Sequence, residues 1–194
     1  MRRFPLLIAC CMLAAALLTG CGGDDEPAGD VPTPAEARAA LRGSPPPLAA
    51  LHAEANELLP GETAAFGRRL AELRGYPVVV NAWGSWCGPC KEEFPVFQRV
   101  ATRYGGSVGF IGLDVTDPED DARAWLRANP VPYPSYLDPD EKIARKVGAR
   151  VGLPTTVLYD RDGEVAYLHQ GPYKDDAALE SDLQRYLGAV PSAR

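Results

Sequence analysis

Val78-Val79-Val80-Asn81-Ala82-Trp83, followed at once by Gly84-Ser85 and Trp86-Cys87-Gly88-Pro89-Cys90, is the stretch that decides the fold. The first run is apolar and β-branched, long enough for a buried strand. After the cysteines, Phe94, Phe97, Val100, Ala101 and Tyr104 recur at helical spacing. Two cysteines with two residues between them thus stand where a strand gives way to a helix. Both sulfurs fit on the first turn, with Cys87 at the helix N-terminus, where unpaired N–H groups and the macrodipole favour a thiolate. Thiolate is the nucleophilic form, so this position predicts a redox-active dithiol. Pro89 suits an early helical position because it has no N–H to lose, and Pro95 should kink the helix without ending it. The competing reading is a structural pair or half of a zinc site. Zinc needs four ligands. Cys21, His52 and His169 show no ligand spacing, so no metal and no cofactor are expected.

The N-terminus speaks to location. Met1-Arg2-Arg3 is a short basic start, and Phe4 to Leu18 is apolar apart from Pro5 and two cysteines. This reads as a secretion signal, too short for a comfortable membrane span. It ends in Leu18-Thr19-Gly20-Cys21, which resembles a bacterial lipobox, with Cys21 as the lipidated residue. The alternative is a plain signal peptide with a chance cysteine. Cys10 and Cys11 would leave with the signal, so Cys87 and Cys90 remain as the only pair. An extracytoplasmic, lipid-anchored protein is expected, in an oxidising compartment. A dithiol kept there for reduction needs electrons from across the membrane.

The 194 residues fit one domain plus a tether. We expect a signal over 1–20, a lipidated, mostly disordered tether over 21–46, and a folded domain over 47–194. The formal net charge is −6, with no basic run, which argues against nucleic acid or anionic headgroups as partners. No glycine pattern fits a phosphate-binding loop. Gly22 to Pro47 is rich in Gly, Pro, Asp and Ala, with room for a helical turn around Ala35 to Leu41.

Leu48, Leu51, Ala55, Leu58 and Leu59 form one helical stripe, and Gly61 to Arg74 a second helix facing inward through Phe66, Leu70 and Leu73. His52 reads as a packing or surface residue. Val78–Ala82 and Val108–Val115 read as strands, Pro118–Ala128 as a helix, and the proline-rich Val131–Leu137 as a short edge strand. Asp138-Pro139 should start a helix that Gly148 ends. Thr155–Tyr159 and Val165–Leu168 flank Asp160-Arg161-Asp162-Gly163, a hairpin turn. Asp175–Leu187 closes the chain as an amphipathic helix. This order implies an α/β fold with a central mixed sheet and helices on both faces.

The Trp83-to-Lys91 motif, with Gly152-Leu153-Pro154-Thr155-Thr156 downstream, resembles the thioredoxin superfamily. Pro77 to Trp83 and Cys90-Lys91-Glu92-Glu93-Phe94-Pro95 are similar to its membrane-tethered TlpA/ResA branch. The resemblance covers Arg74 to Leu187 and implies a three-layer thioredoxin-like sandwich. The helical stretch from Leu48 to Leu73 departs from the branch, where a β-hairpin commonly stands. Cys87 would be the attacking thiol and Cys90 the buried resolving thiol. Pro154 matches the superfamily's cis-proline, and Leu153 would offer backbone hydrogen bonds to an incoming peptide. Trp86 is expected on the docking surface and Trp83 in the core or groove wall. Cytosolic thioredoxins carry a buried aspartate where this chain has Asn81. The branch instead has a glutamate three residues after the second cysteine, here Glu93. A raised pKa would suit it to proton exchange; the alternative is a solvated helix carboxylate like Glu92.

Three functions compete. The first is a thiol-disulfide reductase, which the branch connects with apocytochrome c cysteines and with a membrane electron donor of the CcdA/DsbD type. The second is an oxidant that inserts disulfides into secreted proteins through the same residues. Gly88-Pro89 resembles the reducing thioredoxins. The third is a binding or metal-carrier lipoprotein; copper-carrier relatives use a wider cysteine spacing and a distal histidine. A peroxidase reading finds no proline-threonine-cysteine pattern, so antioxidant activity is not expected.

Overall fold

A computed structural model describes residues 30–149 and 152–192. The signal, Cys21 and the start of the tether lie outside these residues. The chain forms α1 (Pro34–Ala40), α2 (Pro46–Ala53), β1 (Leu58–Pro60), α3 (Thr63–Glu72), β2 (Val78–Trp83), α4 (Gly88–Tyr104), β3 (Gly109–Val115), α5 (Glu119–Ala128), β4 (Ser135–Asp138), α6 (Lys142–Val147), β5 (Thr155–Tyr159), β6 (Val165–Gln170) and α7 (Asp176–Leu187). One six-stranded sheet runs in the order β1-β4-β3-β2-β5-β6. The pairs β1–β4, β4–β3 and β3–β2 are parallel, while β5 and β6 turn antiparallel. The sheet is therefore mixed, as its connections implied.

Two apolar layers cover it. On one face Phe94, Phe97, Val100 and Tyr104 of α4 pack with Ala122 and Leu126 of α5 and Leu179 and Leu183 of α7. On the other, Leu48 and Leu51 of α2, Phe66 of α3 and Ile143 and Val147 of α6 cover Val78, Val80, Ile111 and Leu113. Each Val, Leu, Ile or Phe among them contributes about 1.5–3 kcal/mol by leaving water. β2 is buried at every residue, which explains its continuous apolar run. α4 continues through Pro95 to Tyr104.

Three local expectations are corrected. The stripe from Leu48 to Leu59 is not one helix. α2 ends at Ala53, and Asn56 takes a left-handed φ of 65°. Its side chain donates to Leu126 O at 3.2 Å and accepts from Val131 N–H at 3.0 Å, turning the chain into β1. β1 lies so close to β4 that a Cβ on Gly61 would stand 1.5 Å from Leu137 O. Second, β4 is not an edge strand: it lies between β1 and β3, and the prolines at 130, 132 and 134 precede it. Third, Asp138 belongs to β4. α6 starts at Lys142, and Asp138 reaches forward to accept from Ala144 N–H at 2.8 Å.

Part of the stretch expected as tether has a fixed place. Thr33 caps α1 in a reciprocal capping box with Glu36. Ala37 and Leu41 are buried, and Leu41 Cδ2 lies 2.7 Å from where a Cβ on Gly105 would sit, at the C-terminal end of α4. At that end of α4, Arg99 also pairs with Asp176 of α7 at 2.8 Å. Among the described residues, no helix is long and apolar enough to cross a membrane.

Candidate active site

The site is built where β2 runs out. Cys87 is the N-cap of α4, and its Sγ accepts from Cys90 N–H at 3.2 Å. Pro89 stands in the first turn, where the helix needs no donor. The two sulfurs are joined in a disulfide with the Cα atoms 5.3 Å apart. Both cysteines are buried, Cys87 at 5% exposure and Cys90 at 0%, so Cys87 is the less enclosed of the two. Reduction would leave Cys87 as a thiol beside the unpaired N–H groups of the α4 N-terminus.

Trp86, 59% exposed, is the largest apolar side chain offered to solvent beside the disulfide. Trp83 is buried and meets Phe94 edge to face at 5.1 Å. The Leu153–Pro154 bond is cis. The register pairs Ala82 with Thr155, so Pro154 sits at the same end of the sheet as the cysteines. Leu153 packs against the cluster that contains Cys87 and Cys90. Pro154 O accepts from Gly171 N–H at 3.0 Å, which ties the proline loop to the segment after β6.

Glu93 is fully buried, unlike its exposed neighbour Glu92. Its Oε1 accepts from Asn81 Nδ2 at 2.8 Å and its Oε2 from Tyr173 N–H at 3.1 Å. Burial raises its pKa from 4.5 to about 7, against the pull of these two donors. Asn81 serves as a donor here, giving a second hydrogen bond to Thr156 Oγ1 at 3.3 Å. Tyr173 is anchored by donating its hydroxyl to Asp182 at 2.9 Å and by stacking on His169 at 4.0 Å.

Tyr173 and Asp117 carry no sequence signal for this neighbourhood, and Thr156 stands in the Gly152-to-Thr156 stretch without a role of its own. Asp117 accepts from both Ser85 N–H and Ser85 Oγ, just before the cysteines. Neither histidine meets the dithiol: His52 sits in α2 against Gly105, and His169 in β6 against Tyr173. Among the described residues, no three His, Cys, Asp or Glu side chains gather to hold a metal ion.

A disulfide at the start of a helix, on a mixed sheet, with a cis-proline at the same sheet end, defines a thioredoxin-like thiol-disulfide oxidoreductase. The chain belongs to the AhpC/TSA family, whose profile matches residues 59–168. It is 31% identical over 175 residues to the thiol:disulfide interchange protein DsbE of Escherichia coli, spanning 88% of this chain and 87% of that one. It is 29% identical over 125 residues to the thiol-disulfide oxidoreductase ResA of Geobacillus kaustophilus, spanning 63% and 67% respectively. The crystal structure of a DsbF homologue from Corynebacterium diphtheriae superposes with a TM-score of 0.55 at 30% identity, covering 59% of this chain and 74% of that one.

Proposed function

We propose that this oxidoreductase works as an extracytoplasmic reductant of protein disulfides, anchored by lipid on Cys21, with apocytochrome c cysteines as its substrate class. The observation that carries the reading is Glu93, a buried carboxyl on α4 one turn beyond Cys90, with a pKa near neutrality.

Cys87 thiolate attacks a partner disulfide, forming a mixed disulfide and releasing one partner thiolate. Cys90 passes its proton to Glu93, directly or through water, and attacks Cys87 Sγ. The second partner sulfur leaves as thiolate, and the Cys87–Cys90 disulfide closes. Two electrons have moved from the dithiol to the partner. A membrane dithiol donor of the CcdA/DsbD type returns them by the reverse exchange. Trp86, Leu153 and Pro154 frame the surface against which the partner strand lies.

The reduction potential of the Cys87–Cys90 couple tests the direction. A reductant should lie near −250 mV or lower; a value near about −120 mV would assign the chain to disulfide insertion instead. The anchor is tested separately. Cys21→Ala should move the protein from the membrane fraction to the soluble fraction and leave insulin reduction by the purified protein intact. Retention of the variant in the membrane with its signal uncleaved would replace the lipid with an uncleaved helix.

A further inference from the structure

The loop that delivers Cys87 is clasped from outside the motif. Ser85, two residues before Cys87, gives both its donors to one carboxylate: its N–H to Asp117 Oδ2 at 2.6 Å and its Oγ to Asp117 Oδ1 at 3.0 Å. Asp117 lies between β3 and α5 and is 3% exposed. The same loop closes on itself, with Cys87 N–H donating to Gly84 O at 3.0 Å. Trp86 folds back over Gly84, where a Cβ would stand 2.9 Å from the indole nitrogen. These contacts set the loop's curvature, and Asp117 ties it to the body of the sheet.

A second carboxyl stands behind the first. Asp114, opposite Trp83 in the β2–β3 register, is fully buried, and neither of its oxygens accepts a hydrogen bond from a donor group. The titratable groups that act on it are Asp117 and Asp138, both acidic. Asp138 is already engaged with Ala144 N–H. A buried carboxyl among acids, with no donor aimed at it, is satisfied by keeping its proton and donating it to a neighbour. Burial, with Asp117 next in weight, pushes Asp114 up to about 9.

We propose that Asp117 is a positioning residue that fixes Ser85, and through it the approach of Cys87 Sγ, and that Asp114 completes the clasp by sharing a proton with Asp117. The pair then carries one negative charge, and the Asp117 oxygens remain free to accept from Ser85. Loss of that proton places two anions side by side and drives Asp117 from the loop. The clasp belongs to the β3 side of the site, away from Glu93 with Asn81, Thr156 and Tyr173.

The test is the rate at which reduced Cys87 attacks insulin disulfides, by stopped flow from pH 5 to 10, together with the Cys87 thiol titration. This attack precedes the proton transfer assigned to Glu93, so its outcome is independent of that role. Misplacing an attacking atom slows reaction steeply, and Asp117→Ala should cost about tenfold or more and move the Cys87 titration. Wild type should lose rate as pH passes about 9. Asp114→Asn keeps a donor towards Asp117 and cannot ionise, so its profile should lack that fall. Should Asp117→Ala not fold, Ser85→Ala removes one arm of the clasp without touching the carboxyl pair, and its attack should slow and its titration move. A wild-type rate and titration in the folded Asp117→Ala or in Ser85→Ala overturns the proposal. So does an alkaline fall that persists in Asp114→Asn.

Discussion

Cys90→Ala should accumulate covalent complexes with its substrates through Cys87, where wild type shows none at steady state. Attack needs only Cys87, at the N-cap of α4 and less enclosed than Cys90. Release needs the second sulfur, which the disulfide places within bonding reach and which is otherwise fully buried. Removing it leaves the mixed disulfide waiting for an outside thiol, and its lifetime should extend from a transient to minutes or more, the scale of uncatalysed exchange. Non-reducing gels of whole-cell extracts, with and without reductant, read the result. Cells that make an active wild type yet yield no adduct from Cys90→Ala would reverse or remove the roles given to the two thiols.

Glu93→Gln should slow closure of the Cys87–Cys90 disulfide by about 100-fold near pH 7.5, the usual weight of a general base. Below about 7 the wild-type carboxyl keeps its own proton and cannot take another, so the resolving rate should climb as pH rises through that value. The amide variant should show no rise until the thiol itself ionises, at about 8.5 for an ordinary cysteine. Glu92→Gln, at an exposed position, should follow wild type. Matching profiles for all three would assign the proton to water.

Stability gives a second reading of the same group. A carboxyl raised on folding from 4.5 to about 7 contributes stability that is complete below its unfolded pKa and is lost as pH rises through its folded one. Between pH 5 and 8 this amounts to about 3 kcal/mol at most. Urea unfolding should show that part of the slope in wild type and its absence in Glu93→Gln. At neutral pH the two should differ little, because the amide gives up one of its two acceptors while shedding the cost of a buried charge.

The parts of this fold that were legible share one property: their determinants are close in sequence. Strand β2, the cysteines and the first face of α4 follow one another within a single strand-to-helix unit, and period and spacing expose them. β1 was hidden because Leu58 and Leu59 continue a helical spacing from Leu48; only pairing with β4, far along the chain, makes them a strand. The prolines before β4 suggest an edge strand, yet they stop before the ladder starts. The site divides the same way. Cys87, Cys90 and Glu93 lie on one helix, whereas Tyr173 reaches Glu93 from 80 residues away and Thr156 reaches Asn81 from 75. In the sequence Asn81 marks only the lack of an acid; as a donor to Glu93 it becomes intelligible once that partner is in place.

The seat of α1 has a consequence for reach. It docks beside Gly105, while the dithiol opens at the other tip of α4, 17 residues earlier. At about 1.5 Å per residue that is a lever of about 25 Å. On the proposed anchorage at Cys21, the leash therefore meets the body at the heel and the reactive sulfur rides at the toe. Cys21 to Thr33 can stretch no further than about 40 Å. Under that proposal the molecule would serve two addresses by pivoting about its heel: tipped down to recharge at a membrane donor, tipped up to meet a chain emerging into the compartment.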